Sequence, residues 1–387
     1  MIDTNLLQFA TDRQRQIIEE VNRLGSARAA AKAMNISRAT VQDAVKRVTL
    51  KASAQGYSPE HNLTKIIPAP YIARGHSTQY NREGQLVQQW VKTRLDDQRY
   101  QEAIHAAAAA LAEELPRLEP KVAPVQSQDA KALANLYVLT DAHVGMLAWE
   151  REGGANWDLK IAERTIYDCF MLMLDSAPEA ATGIIGQLGD FFHSDGLLPV
   201  TPTSNHVLDQ DGRYPKVVAA GIRLLRRIID AALERHERVV VLMAEGNHDL
   251  SGSMWLQLML KALYENEPRI EVVETPLPYY AIRHGRTALF FHHGHKKKKE
   301  ALPLAFAAMF PEVWGAAKRR YIHTGHYHDI DERGHPGCVV MQHPTLAARD
   351  AHASRSAWLS ERQATVISYH EEFGEVRRAP VTPEMVS

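Results

Sequence analysis

Cysteine is almost missing from this chain: two residues in 387, Cys169 and Cys338. Two thiols cannot form a disulfide framework. One lies in an apolar helical run and the other in a strand-like run, so both read as buried core thiols in a reducing compartment. A surplus of either charge is missing as well. With 45 Lys/Arg against 46 Asp/Glu the formal net charge is −1, so any role on nucleic acid must rest on a local patch. No apolar run approaches the roughly 20 residues of a membrane span, and no long apolar stretch opens the chain. A cytoplasmic protein without a membrane partner is expected. What remains is ordinary for a globular chain, 45% hydrophobic and 24% charged, with room for one large domain and a small one.

The informative residues stand at the ends of the apolar runs. Val239–Met243 is short and β-branched, reads as a buried parallel strand, and ends in Gly246-Asn247-His248-Asp249. Polar side chains at the end of a core strand contribute little to folding. In open α/β sheets, however, ligands bind beyond the carboxyl ends of strands. Four more runs have this design. Ala134–Thr140 leads to Asp141-Ala142-His143, and Gly183–Leu188 to Gly189-Asp190-Phe191-Phe192-His193. Thr287–His292 leads to His293-Gly294-His295, and Tyr321–Thr324 to Gly325-His326-Tyr327-His328. Carboxylate, amide and imidazole donors without thiolates suit Mn²⁺, Fe²⁺, Zn²⁺ or Mg²⁺, with Mn²⁺ favoured.

The ordered set DxH, GDxxH, GNHD, HGH and GHxH resembles the calcineurin-like metallophosphoesterase superfamily. One such motif alone carries little; five in order between Asp141 and His328 are highly specific. The resemblance implies an α/β fold, a sandwich of two mixed sheets flanked by helices, with the motifs at one edge. It also implies two divalent ions that clamp a phosphate and lower the pKa of a bridging water. Carried over motif by motif, Asp141, His143, Asp190 and His328 hold the first ion, and Asp190, Asn247, His293 and His326 the second. Asp190 is then shared. His248 is expected to reach the phosphoryl group or leaving oxygen, and Asp249 to hold His248 through a hydrogen bond.

Phe191-Phe192-His193 resembles the version found in SbcD-like double-strand-break repair nucleases, where a histidine at this place assists exonuclease chemistry. The bland alternative for His193 is a surface residue at a helix start. Protein serine/threonine phosphatases carry Asp-Arg-Gly after the Gly-Asp, which this chain lacks. Lys296, Lys297, Lys298 and Lys299 come directly after the fourth motif and could track a phosphate backbone, though lysine runs are usually solvated surface. His292 reads as a sheet residue. His206, Asp209 and Asp211 occupy a polar loop that could line a substrate groove.

Residues 1–55 form a separate module. Thr11 and Gln14 have capping-box spacing, and Ile17, Ile18, Val21 and Leu24 share one helical face that Gly25 ends. Ser26 caps a second helix through Met34, and Ser37 a third carrying Val41, Val45 and Val48. Two short helices, a tight turn and a third helix with a polar start resemble a helix-turn-helix, which lays its last helix in the DNA major groove. Arg38, Thr40 and Gln42 would face bases, with Arg28, Lys32, Lys46 and Arg47 near phosphates. Nine Lys/Arg against five Asp/Glu give this segment the local basic bias that the net charge hides. A helical protein–protein module is the alternative.

Residues 56–130 connect the two. Tyr71–Tyr80 and Gln85–Thr93 around Asn81-Arg82-Glu83-Gly84 suggest a β-hairpin. Leu95–Leu115 reads as a helix whose stripe of Tyr100, Ile104, Leu111 and Leu115 must bury against something, a second copy of the chain being one candidate. A segment with three prolines then leads into the large domain, 131–387.

The leading reading is a DNA-directed, Mn²⁺-dependent phosphodiesterase, a nuclease recruited by its helix-turn-helix. The resemblance implies that a metal-bridging hydroxide does the hydrolysis. A combination of this kind also resembles proteins of bacterial viruses and their integrated genomes. A second reading is an enzyme of small phosphoesters or cyclic nucleotides whose N-terminal module serves regulation or dimerisation. A third is a DNA-binding regulator with a vestigial metal site; intact ligands at every motif argue against it.

Overall fold

Capping signals in the first 55 residues become three helices in a computed structural model. It describes residues 2–61, 63, 66–67, 71–81, 83, 85–95, 122–202 and 204–387. The chain divides into two compact units, Met1–Ala103 and Ile104–Ser387. In the first, Thr11 and Gln14 close a capping box on α1 (Asp12–Leu24), and Gly25 ends it in the left-handed conformation, φ 72°. Ser26 caps α2 (Ala27–Ala33), and Ser37 caps α3 (Arg38–Ala54). Between α2 and α3, Asn35 turns the chain at φ 50°.

Ile17, Val21, Ala30, Ala31, Val41 and Ala44 form one small core. Ile18, Val48 and Ala52 form another with Leu6 and Phe9 of a 3-10 turn, Thr4–Phe9, that no sequence signal announced. Ala44 is buried where Val45 was expected and Val45 is half-buried, because α3 meets two clusters rather than one stripe. Strands β1 (Tyr71–Tyr80) and β2 (Leu86–Leu95) pair antiparallel; at their turn the Asn81 side chain accepts from the backbone N–H of Glu83 and Gln85. The expected helix over 95–115 lies almost wholly outside the described residues.

The second unit stacks two sheets. β3 (Leu133–Leu139), β4 (Thr182–Gln187), β5 (Arg238–Met243) and β6 (Ile270–Val272) run parallel. They continue through β12 (Ala364–His370) and β13 (Gly374–Val381) into a six-stranded sheet ordered β13-β12-β3-β4-β5-β6. The other sheet, β10-β11-β9-β8-β7, contains β7 (Tyr280–His284), β8 (Thr287–Phe291), β9 (Arg319–Thr324), β10 (Asp331–His335) and β11 (Cys338–Gln342).

Side-chain alternation sorts these strands into layers. Val240 and Leu242 of β5 pack with Leu289 and Phe291 of β8 in a core between the sheets. Val239, Val241 and Met243 point the other way, onto helices Leu159–Ser176, Tyr214–Arg235 and Leu250–Leu263. Ala288 and Phe290 of β8 face outward onto Leu302 and Phe306. The architecture is thus helix, sheet, sheet, helix. Cys169 and Cys338 are both buried and free. The apolar stretch 301–317 forms two helices rather than one, Leu302–Met309 and Pro311–Ala316; Pro311 has no N–H to give and starts the second. β6 and β10 were not expected, being short or rich in charge. Among the described residues no helix is long and apolar enough to cross a membrane.

Candidate metal centre

β3, β4, β5, β8 and β9 lie side by side within their two sheets, and each delivers a motif at its carboxyl end. The loops bring the donors together in two groups. Atoms of Asp141, His143 and His328 lie within 4.8 Å of one another, as do those of Asp190, His293 and His326. The groups adjoin: His293 Nε2 is 3.1 Å from Asp190 Oδ2 and 3.9 Å from Asp141 Oδ1. Asn247, from the β5 loop, places Oδ1 3.3 Å from His293 Nε2. All seven expected ligands therefore meet at one place.

The backbone is unusual here. Asp141, His143, Asp190, His326 and His328 all have positive φ, between 43° and 72°. Such conformations cost non-glycine residues on the order of 1 kcal/mol each and persist where the surroundings impose them. The loops impose them through cross-bonds. Asp141 N–H donates to Gly189 O (3.0 Å), His143 N–H to Asp190 O (3.0 Å), and His326 N–H to Asp141 Oδ2 (3.0 Å). His248 N–H donates to Asp190 Oδ1 at 2.8 Å, and Thr345 Oγ1 to the Asp141 carbonyl at 2.6 Å.

Glycines make this crowding possible, a role that motif spacing alone did not reveal. A Cβ on Gly246 would overlap Asp190, one on Gly325 would overlap Thr140 and Asp141, and one on Gly189 would overlap His293. The signal was present, since each of these glycines belongs to a motif. Asp195 carried no such signal: its two oxygens accept from the N–H groups of Ser251 and Gly252, each at 2.7 Å. It thereby satisfies two otherwise orphaned donors at the start of the helix after the GNHD loop.

Several nitrogens have defined protonation. His293 Nδ1 lies 2.9 Å from the Leu188 carbonyl and His248 Nδ1 lies 2.8 Å from the His193 carbonyl. A carbonyl only accepts, so Nδ1 carries the proton in both, and a neutral ring presents its Nε2 lone pair. Burial pushes His193 down to about 3 and His326 to about 4, with His248 and His293 respectively adding to the effect. Burial, with His248 and His193 beside it, also drives His143 well down. These imidazoles stay neutral, as ligands must. For Asp190 burial acts upward but is outweighed by His293 and His248; for Asp141 it is outweighed by His328 and His293. Both remain carboxylates.

The donor set fits a cation. With Nδ1 donating to the Leu188 carbonyl, His293 Nε2 faces only acceptors, Asp190 Oδ2 and Asn247 Oδ1, so either a proton or a metal must lie between them. At the other group, His143 and His328 point their Nε2 atoms at each other across 3.3 Å while Asp141 Oδ1 stands 3.0 Å from His328 Nε2. His193 Nε2 is buried with no hydrogen-bond partner.

One expectation changes, for Asp249, and the bland alternative for His193 falls. His193 is not at a helix start on the surface; it is 1% exposed, and its Nδ1 sits 3.2 Å from His143 Nδ1. His143, His193 and His248 form a third cluster. Asp249 does not hold His248. Its Oδ2 accepts from Phe192 N–H at 3.0 Å, the role at His248 Nδ1 falling to the His193 carbonyl. Asp249 is fully buried, and burial together with the Asp190 charge holds its pKa well above the carboxylate range.

The lysine run is half committed. Lys296 pairs with Glu245 at 2.7 Å and Lys299 with Asp331, while Lys297 and Lys298 are exposed. His292 ends just past β8, buried, its Nδ1 accepting from Gly294 N–H. Asp211 is spent on the fold, its Oδ2 accepting from Leu159 N–H; His206 is exposed. In the N-terminal unit Arg28, Lys32, Arg38, Thr40, Gln42, Lys46 and Arg47 are all exposed, and Thr40 N–H is bound to the Ser37 cap.

No protein-family model matches the chain, and no curated protein does. Among solved structures it is similar to a predicted phosphoesterase of Streptococcus pneumoniae, at 12% identity and TM-score 0.31, over 66% of this chain and 92% of that one. It is similar to an archaeal phosphodiesterase at 12% identity and TM-score 0.34, over 64% and 99%. It is likewise similar to Yfce, a phosphoesterase from E. coli, at 13% identity and TM-score 0.32, over 64% and 100%. At such low identity and TM-score, function has to be argued from the chain's own side chains.

Proposed function

We propose that the chain is a dinuclear-metal phosphodiesterase acting on nucleic acid. The observation that carries this is the pair of acid–imidazole groups, Asp141/His143/His328 and Asp190/His293/His326, packed edge to edge. Asp141, His143, Asp190 and His328 would hold one divalent ion, and Asp190, Asn247, His293 and His326 the other. Bound there, the pair would neutralise phosphate charge and supply a nucleophile from water near neutral pH. The oxygen- and nitrogen-only set suits Mn²⁺, Fe²⁺, Zn²⁺ or Mg²⁺, with Mn²⁺ favoured.

The remaining roles belong to the protein. His248 is half-buried and held by the His193 carbonyl, so its Nε2 is the group oriented to meet a phosphoryl or leaving oxygen. His193 fixes the His143 ring from behind, at 3.2 Å. On the first unit, α3 presents Arg38, Thr40 and Gln42 on an exposed, capped N-terminus, and Arg28, Lys32, Lys46 and Arg47 add positive charge. That arrangement supports a helix-turn-helix that recruits the enzyme to DNA. Purified protein with Mn²⁺ should cleave DNA as well as bis-p-nitrophenyl phosphate. Turnover of the small diester alone would favour a small-phosphoester enzyme, and DNA binding with no metal-dependent turnover a regulator.

A further inference from the structure

Beside the metal centre, one cleft sets an exposed indole among charged side chains, Arg349, Glu361 and Arg362. His328 shares it with Thr345, Ala348, Arg349, Trp358 and Arg362. Its enclosed space is only about 20 Å³, so it is a shelf on which a group could lie, not a pocket that could enclose one. Trp358 stands there 59% exposed, although tryptophan is usually well buried.

The indole is held in place. Asp350 caps the turn Ala351–Arg355 through Ala353 N–H at 2.7 Å, and Trp358 N–H donates to Ala353 O at 3.0 Å. Ala357 between them has φ +55°, a conformation alanine adopts only under constraint. The His352 ring meets the indole edge-on at 5.3 Å and His206 faces His352 at 6.1 Å, so the loop after the second motif braces the same wall. Each of the cleft's two arginines is tied to the fold through its Nε. Arg349 Nε donates to Gly153 O (3.1 Å) and Arg362 Nε to Leu346 O (2.8 Å), the latter guanidinium lying over Trp157. What the cleft offers is therefore a flat π face next to an imidazole of the phosphate site. A planar group tethered to the phosphate matches it, and in nucleic acid that group is a base free of its stack.

We propose that Trp358 is a specificity-determining residue that stacks the base next to the scissile phosphate, making an unpaired strand the preferred substrate. This rests on the phosphodiesterase reading above. The test uses full-length protein with Mn²⁺ on two strands of equal length and charge, one oligothymidylate and one entirely abasic. Wild type should prefer the base-bearing strand in kcat/KM by roughly 5- to 150-fold, the range of one base–aromatic stack. Trp358→Ala should bring that ratio close to one, and Trp358→Phe should keep most of it. A ratio unchanged in Trp358→Ala, or equal cleavage of both strands by wild type, would overturn the role of Trp358 alone. Cleavage of neither strand would remove the phosphodiesterase reading beneath it.

Discussion

Gly246 and Asp190 are in such close contact that a Cβ on the glycine would overlap both the carboxylate and the backbone nitrogen of the aspartate. The GNHD loop thus uses its glycine to let the Asp190 carboxylate through. Gly246→Ala should displace Asp190 and lower metal-dependent turnover by at least 100-fold. The accompanying loss of stability should be only about 1–3 kcal/mol, the usual cost of overpacking. Thermal denaturation beside a Mn²⁺-dependent assay separates the two, and near-normal turnover would show that Asp190 tolerates the shift.

His193 touches the proposed ligand His143, so its main effect should be on metal affinity. Partners of metal-ligating histidines typically contribute 10- to 100-fold in affinity or activity. His193→Ala should raise the Mn²⁺ concentration needed for half-maximal activity by roughly that factor. If only kcat falls, His193 works on the substrate instead.

The metal-free protein should respond to pH through His293. Burial opposes its charge, but Asp190 and Asp141 prevail and raise it to about 9. A raised folded-state pKa means that this ion pair stabilises fully below the unfolded value near 6.5 and fades as pH passes about 9. Metal binding must expel that proton. Mn²⁺ affinity should therefore climb with pH from about 7 to about 9 and then level off. Calorimetric titrations in buffers of different ionisation enthalpy should show at least one proton released at pH 7, His328 being raised as well by Asp141; none would place His293 outside the ligand set.

Lys297 and Lys298 are exposed, whereas Lys296 and Lys299 are engaged by Glu245 and Asp331. If the run contacts DNA, replacing Lys297 and Lys298 by Ala should reduce the slope of log K against log salt by about 2, near 0.9 per duplex phosphate contact. Removing residues 2–55 should reduce it further. An unchanged slope in the double variant would leave the lysines as solvated surface.

Much of this was legible because the strands announce themselves twice, by apolar β-branched runs and by the donors after them. Val239–Met243 alternates onto two cores, as a strand covered on both faces must, and its loop supplies Asn247 and His248 where expected. Local caps were equally readable, because Thr11, Ser26 and Ser37 each act on a neighbour three residues away. What escaped depended on distant partners. No local pattern says that Asp249 bonds Phe192 rather than His248, or that His193 turns inward to His143. Pro311 was a local signal for a broken helix, but the apolar run around it masked the break. Asp331–His335 pairs only because β11 lies beside it, against its own charged composition.

If Asp190 is shared between two cations, the number of ions bound depends on its carboxylate. Equilibrium dialysis against Mn²⁺ should give two ions per chain for wild type and one or none for Asp190→Ala. Fewer than two in wild type, or an unchanged count in Asp190→Ala, would contradict it.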